Sequence, residues 1–202
     1  METHVILVRH AQIQANVDKL WHGWTDSALT EEGHRQAAKA AQRLAREHQD
    51  IKAVYASPLQ RTRDTAQAIA SALNHDVIVH DGLKEYGIGE LEGVSFNDLK
   101  RVHNFFEQVD ADPLYAPPGG ESLRQVSDRV ADALAQIATQ HRGEKVVAVS
   151  HGAALALALA QLFDKDPYAW DKYFFHNTAV TEVIIADEPR LLRFNCYAHL
   201  EE

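Results

Sequence analysis

Two histidines and two arginines stand where short apolar runs end. Arg9 and His10 follow Val5–Val8, Ser57 and Pro58 follow Ala53–Ala56 with Arg61 one helical turn further on, and Ser150, His151 and Gly152 follow Val146–Val149. Taken singly, each has an ordinary explanation. A histidine at a strand end is commonly a polar loop residue, and an arginine in a first helical turn is commonly solvated. Arg63, two positions from Arg61, points to the other side of its helix and fits that description. Together the four describe a phosphate site. A guanidinium fork holds phosphate oxygens in pairs, and fixed positive charge in a dry cleft stabilises the charge that builds on a transferring phosphoryl group. A neutral imidazole nitrogen is a competent phosphoryl acceptor near pH 7.

For these residues to meet, the runs that carry them must lie side by side. His4–Val8, Ala53–Ala56 and Lys145–Val149 are rich in Val and Ile without strict alternation, as expected of buried parallel strands. Helical patterns separate them. Thr30 reads as an N-cap with Glu31 and Glu32 in the first turn, and Ala37, Ala41, Leu44 and Ala45 then share one face. Ala66, Ile69, Ala70 and Leu73 repeat the spacing, as do Val126, Val130, Leu134 and Ile137. Val77–His80 is a fourth strand candidate, and Ala179–Ala186 and Leu191–Cys196 read as a hairpin around Asp187–Arg190. The β-α alternation predicts an α/β fold, a three-layer α/β/α sandwich with a mainly parallel sheet and an antiparallel edge strand. Ligands of such sheets sit beyond the carboxyl ends of the strands, where both histidines and both arginines emerge.

Residues 1–202 read as a single domain with a lid-like insertion at about 87–122. The insertion has a helical stretch around Asn97–Val109 and a turn-rich Asp112–Gly120. It is either a cover over the site or a passive surface excursion.

In order along the chain, Leu7-Val8-Arg9-His10 with Asn16, Gly23-Trp24-Thr25-Asp26 leading to Leu29-Thr30 and Gly33, Tyr55-Ala56-Ser57-Pro58-Leu59-Gln60-Arg61-Thr62, Glu85 before Gly87 and Gly93, and Ser150-His151-Gly152 span almost its whole length. This pattern resembles the histidine phosphatase superfamily, which includes the cofactor-dependent phosphoglycerate mutases. The resemblance implies that His10 becomes phosphohistidine, that Arg9, Arg61 and His151 bind the phosphoryl oxygens, and that Asn16 adds a polar contact. It makes Glu85 the proton donor to the leaving oxygen and then the base for the hydrolytic water. Without the resemblance Glu85 would be an exposed loop carboxylate. His22, Gly23 and Gly152 fall where the family contacts its substrate.

The pattern departs from the family after the nucleophile. Gly, Glu and a Ser or Thr are usual there, and this chain has Ala11, Gln12 and Ile13. Ile13 has no hydroxyl to offer a phosphate, and a buried hydrogen bond of that kind is worth ~1–3 kcal/mol. The compact 85–122 stretch with Pro118-Gly119-Gly120-Glu121-Ser122 is similar to the phosphatase branches, such as the α-ribazole and broad-specificity phosphatases, rather than to the longer mutases. The expected function is therefore a metal-independent phosphomonoester hydrolase acting on small phosphorylated metabolites. A cofactor-dependent phosphoglycerate mutase and a weakly catalytic phosphate-ligand binder are the alternatives.

Other chemistries lack their residues. The 12 histidines are scattered, with no His-Glu-x-x-His and no Cys/His cluster, so neither a metal nor another cofactor is expected. There is no Gly-x-Ser-x-Gly elbow and no Gly-x-x-x-x-Gly-Lys loop. A net charge of −9 argues against nucleic acid and anionic membrane as partners, while a local cationic pocket for a phosphorylated metabolite remains compatible with it. A homodimer is left open. Cys196 has no second cysteine to pair with, and Met1–Arg9 lacks a long apolar core, so the cytoplasm is the expected compartment.

Overall fold

The computed structural model describes residues 2–201. Strands β1 (Thr3–Arg9), β2 (Ile51–Ala56), β3 (Val77–Val79), β4 (Lys145–Ser150), β5 (Val180–Ile185) and β6 (Arg190–Cys196) form one sheet in the order β3-β2-β4-β1-β5-β6. The first four run parallel, and β5 and β6 close one side antiparallel. The helices are α1 (Gln14–Asp18), α2 (Glu31–Glu47), α3 (Gln60–Leu73), α4 (Phe96–Arg101), α5 (Phe105–Ala111), α6 (Leu123–Gln140) and α7 (Gly152–Leu159).

Alternate residues of the central strands face opposite ways, and both ways are apolar. Val5, Leu7, Tyr55, Val146 and Ala148 pack against α6 and α7 through Val126, Val130, Leu134 and Leu155. Ile6, Val8, Val54, Val147 and Val149 pack against α2 and α3 through Ala41, Leu44, Ala66 and Ile69. That double burial is why the strand sequences are near-continuous aliphatic runs, and it makes the sandwich three layers deep. Thr30 caps α2, its hydroxyl accepting from Gly33 N–H at 3.0 Å.

The parallel register sets the site. Arg9 lies opposite Ser150 and Ala56 opposite Val149, so β1, β2 and β4 end level with one another. His10 N–H then donates to Ser150 C=O at 2.9 Å, and Ser57 N–H to Val149 C=O at 3.1 Å.

Two elements differ from expectation. The helical stretch around Asn97–Val109 is two short helices, because Asn104 takes a left-handed turn (φ 48°) between α4 and α5. Asn is among the few non-glycine residues that accept that conformation readily. Helix α7 is unanticipated. Its sequence is apolar on every side and it is buried on every side, so no amphipathic period marks it. Among the described residues, no helix is long and apolar enough to cross a membrane.

Candidate active site

The carboxyl ends of β1 and β4 open into a cavity of about 330 Å³. Arg9, His10, Asn16, His22, Glu85 and Gly152 line it; Arg61, His151 and Gly23 form the layer behind.

The His10 ring is almost wholly buried, and its Nδ1 lies 2.8 Å from Ala11 C=O. Burial beside Arg61 and Arg9 holds its pKa well below the usual histidine value, so the ring is neutral near pH 7. A neutral ring facing a carbonyl at Nδ1 must carry its proton there. Nε2 therefore keeps the lone pair, which suits a nucleophile.

His151 has the opposite arrangement. Its Nδ1 accepts from Arg61 Nε–H at 3.2 Å, which places the proton on Nε2, and Nε2–H donates to Ser57 Oγ at 2.8 Å. Burial, with the charge of Arg61, keeps this ring neutral as well. The two imidazole centroids are 5.3 Å apart. One ring thus offers a lone pair and its neighbour an N–H.

Arg61 is fully buried at the start of α3. Besides its bond to His151 it donates to Thr25 C=O at 2.9 Å, His22 C=O at 3.0 Å and Gly23 C=O at 2.7 Å. Gly23 is required in this loop, because a Cβ there would run into Tyr86 C=O and Glu92 Oε1. Arg9 donates through Nη1 to Phe175 C=O, while its buried Nε–H has no protein partner. Burial lowers both arginine pKa values and the charge of Glu85 opposes the shift, so both guanidinium groups stay charged near pH 7.

Glu85 sits at the N-terminus of α7. Its Oε1 accepts from Tyr86 N–H at 2.9 Å and Ala154 N–H at 2.8 Å, and its Oε2 from Ala153 N–H at 3.2 Å. The helix end thereby orients a carboxylate towards the cavity. The loop that carries Glu85 is held by Arg129, which donates to the carbonyls of Gly82, Lys84 and Glu85 and makes a two-pronged bridge with Glu121 at 2.9 and 2.8 Å.

Sequence reasoning gave no role to Arg129, nor to two further residues that organise these groups. Glu92 accepts from the backbone N–H of Gly23, Trp24, Thr25 and Ile88 and from the Thr25 hydroxyl, fixing the loop whose carbonyls hold Arg61. Asn177 donates to His10 C=O at 2.9 Å and to Asn16 Oδ1 at 3.2 Å, just before Thr178, which occupies the left-handed region (φ 57°). The polar His176-Asn177-Thr178 triplet ahead of β5 was the only signal for Asn177.

Ala11 has ordinary backbone angles, so the glycine usual there is dispensable. Ile13 both lines the cavity and packs with Ala11, Ala15, Leu29 and Ala37. Among the described residues, no three His, Cys, Asp or Glu side chains are placed to hold a metal ion.

Residues 5–196 match the model of the histidine phosphatase superfamily (branch 1). Phosphoserine phosphatase 1 of Hydrogenobacter thermophilus is 34% identical over 98% of this chain and 94% of its own. Metal-independent phosphoserine phosphatase of Arabidopsis thaliana is 39% identical over 76% of this chain, and the match spans 66% of that longer protein. In structure, phosphoserine phosphatase from Entamoeba histolytica, crystallised as a mutant with phosphoserine, superposes with a TM-score of 0.88 at 30% identity, covering 98% of this chain and 99% of that one. With the family's blocks gathered around one cavity and its model spanning nearly all of the sequence, the chain belongs to the histidine phosphatase superfamily.

Proposed function

We propose that the chain is a metal-independent phosphomonoester hydrolase for small phosphorylated metabolites, working through phosphohistidine at His10. The observation that carries this reading is the neutral His10 ring, with Nδ1–H engaged by Ala11 and Nε2 left with a lone pair among buried cationic groups. Nε2 attacks phosphorus as the ester P–O bond breaks, and Glu85 gives its proton to the departing oxygen. Arg9 takes the phosphoryl oxygens, joined by the Nε2–H of His151 once a phosphoryl oxygen replaces Ser57 Oγ as its acceptor, with Asn16 adding a polar contact. Arg61 holds His151 in the donating tautomer and contributes its own charge. Water then attacks phosphorus, Glu85 removes a proton from it, the P–N bond breaks, and phosphate leaves a neutral His10. Residues 87–122 act as a lid over the single domain, supported by Phe96 and Phe106 in the cavity wall. The lone cysteine, free in the fold, supports the cytoplasm as compartment.

A mutase would use the same His10 step and return the phosphoryl group to a sugar acid. A probable phosphoglycerate mutase from Cronobacter sakazakii, 33% identical over 93% of this chain, keeps that reading in view. A panel of phosphate esters, with and without a phosphorylated sugar-acid primer, separates the two. Hydrolysis without primer supports the phosphatase, whereas primer-dependent isomerisation supports the mutase. His10→Ala should abolish turnover with the fold retained, and trapped wild-type enzyme should carry acid-labile, base-stable phosphate on His10. Label on a serine or aspartate would refute the mechanism. Turnover abolished by a strong chelator and restored by zinc or magnesium would refute metal independence.

A further inference from the structure

Beyond the phosphoryl-binding floor, the cavity has aromatic walls. Trp21 packs against Phe96 and Phe106 with ring centroids 5.4 and 6.4 Å apart, joining the residues before α2 to the insertion in one continuous face. Backbone bonds reinforce that face: Trp21 N–H donates to Val94 C=O at 2.9 Å and Phe96 N–H to Lys19 C=O at 3.1 Å. Trp170, Tyr173, Phe174 and Phe175 also line the cavity, as do Ala153 and Ala156 of α7. Phe96 and Phe174 are 46% and 63% exposed, an unusual state for phenylalanine that leaves apolar surface for an incoming group.

The charges along this wall are as informative. Among the described residues lining the cavity, Arg9 is the only lysine or arginine, and the phosphoryl group needs it. His22, whose Nδ1 pairs with Ser27 Oγ at 2.8 Å, is kept neutral by burial and by Arg61. Asp171 adds a negative charge to the lining. A carboxylate on the leaving group would find no second cation in the lining and would give up water without an ion-pair partner, while Asp171, exposed at the rim, adds a weaker, solvent-screened repulsion.

Resting on the hydrolase reading above, we infer that this site selects phosphomonoesters whose leaving group is uncharged and apolar or aromatic, and discriminates against leaving groups that carry a carboxylate. This separates the chain from the relatives crystallised with phosphoserine and 3-phosphoglyceric acid.

The test compares kcat/KM for 2-phenylethyl phosphate with phosphoserine and 3-phosphoglycerate. All three release aliphatic alcohols, so the chemical step is comparable and pocket affinity decides. Burying one phenyl ring favours 2-phenylethyl phosphate by a factor on the order of 30. Phe106→Ser should lower the 2-phenylethyl to phosphoserine ratio roughly 10-fold. Asp171→Asn should lower the same ratio by improving the carboxylate-bearing esters. Phosphoserine or 3-phosphoglycerate turned over as efficiently as 2-phenylethyl phosphate, with phosphohistidine formed, overturns the inference while the hydrolase reading stands. No phosphohistidine from any ester overturns both.

Discussion

Glu92 makes no contact with the reacting group, yet replacing it should slow the first chemical step. Its carboxylate holds five donors: Gly23 N–H at 2.7 Å, Thr25 N–H at 3.2 Å and Thr25 Oγ–H at 2.9 Å on Oε2, and Trp24 N–H at 3.0 Å and Ile88 N–H at 3.2 Å on Oε1. Glu92→Gln keeps one oxygen, best turned to the three donors of the Oε2 side. Its amide NH2 then faces two backbone N–H groups that have no acceptor. At ~1.5–3 kcal/mol per hydrogen bond to a charged group, discounted because water reaches the Trp24 side, the stability loss is ~2–3 kcal/mol. For a domain of this size that is a fall in Tm of about 4–12 °C. The loosened loop presents the carbonyls of His22, Gly23 and Thr25 to Arg61, and Arg61 sets the tautomer of His151. Outright loss of a transition-state donor costs ~10²–10³-fold, and a loosened one should cost roughly 10-fold in phosphoenzyme formation. Rapid-quench measurement of the burst with an aryl phosphate reads that rate. In an Arg61→Lys background the rate effect should largely vanish while the Tm effect persists, because only the former passes through Arg61. A full burst rate in Glu92→Gln, or an equal rate loss in the Arg61→Lys background, would refute the coupling.

Glu85→Gln should lower phosphoenzyme formation from alkyl phosphates by roughly 10²-fold or more, and from aryl phosphates much less, since an aryl oxide leaves without a proton. Aryl substrates should then give a burst followed by slow turnover with accumulated phosphohistidine; equal losses for both substrate types without accumulation would remove Glu85 from the acid–base role. Glu121 is a poor substitute, being engaged by Arg129. The depressed pKa values of His10 and His151 also predict acid instability. Below pH ~6.5 the unfolded chain binds protons at these positions and the folded chain does not, so their contribution is complete above that pH and is lost as pH falls, by up to ~1.4 kcal/mol per pH unit for each ring. His10→Asn should flatten the dependence of the urea midpoint between pH 7 and 5, and an unchanged slope would count against a neutral buried His10. At Ile13, restoring a hydroxyl with Ser or Thr should raise phosphoenzyme formation several-fold. Ser should also cost ~2–4 kcal/mol of stability by emptying space beside Leu29 and Ala37, and Thr less; an unchanged rate with the fold retained would mean the hydroxyl has no phosphoryl oxygen to reach.

The sheet and its two flanking layers were legible because aliphatic runs and helical spacing are local signals. Val5–Val8 and Val146–Val149 announce buried strands wherever they occur, and Thr30 announces a helix start. The α7 helix was not legible, since a helix buried all round leaves no period to read. The break at Asn104 was hidden for another reason: a single left-handed residue interrupts a helix without altering the pattern on either side. In the site, the residues at strand ends were visible from their position alone. Glu92 and Asn177 were not, because their work lies in backbone contacts with residues 69 positions away in Gly23 and 167 positions away in His10. Such partners leave no trace in local spacing.

The same limit applies to the protons. His10 and His151 are one residue type in similar burial, and nothing in their neighbouring sequence distinguishes a lone pair from an N–H at Nε2. The distinction comes from what meets Nδ1: the carbonyl of Ala11 in one ring, and the Nε–H of Arg61 in the other. A guanidinium never accepts a hydrogen bond, so it forces the second ring to present its proton on the far side. Arg61 is thus more than a source of charge. Lysine in its place keeps the charge but loses the fixed planar fork, which three backbone carbonyls hold in register with His151. The site depends on that arrangement because a phosphoryl group between two neutral imidazoles needs opposite partners from them, a nitrogen lone pair for phosphorus and an N–H for oxygen.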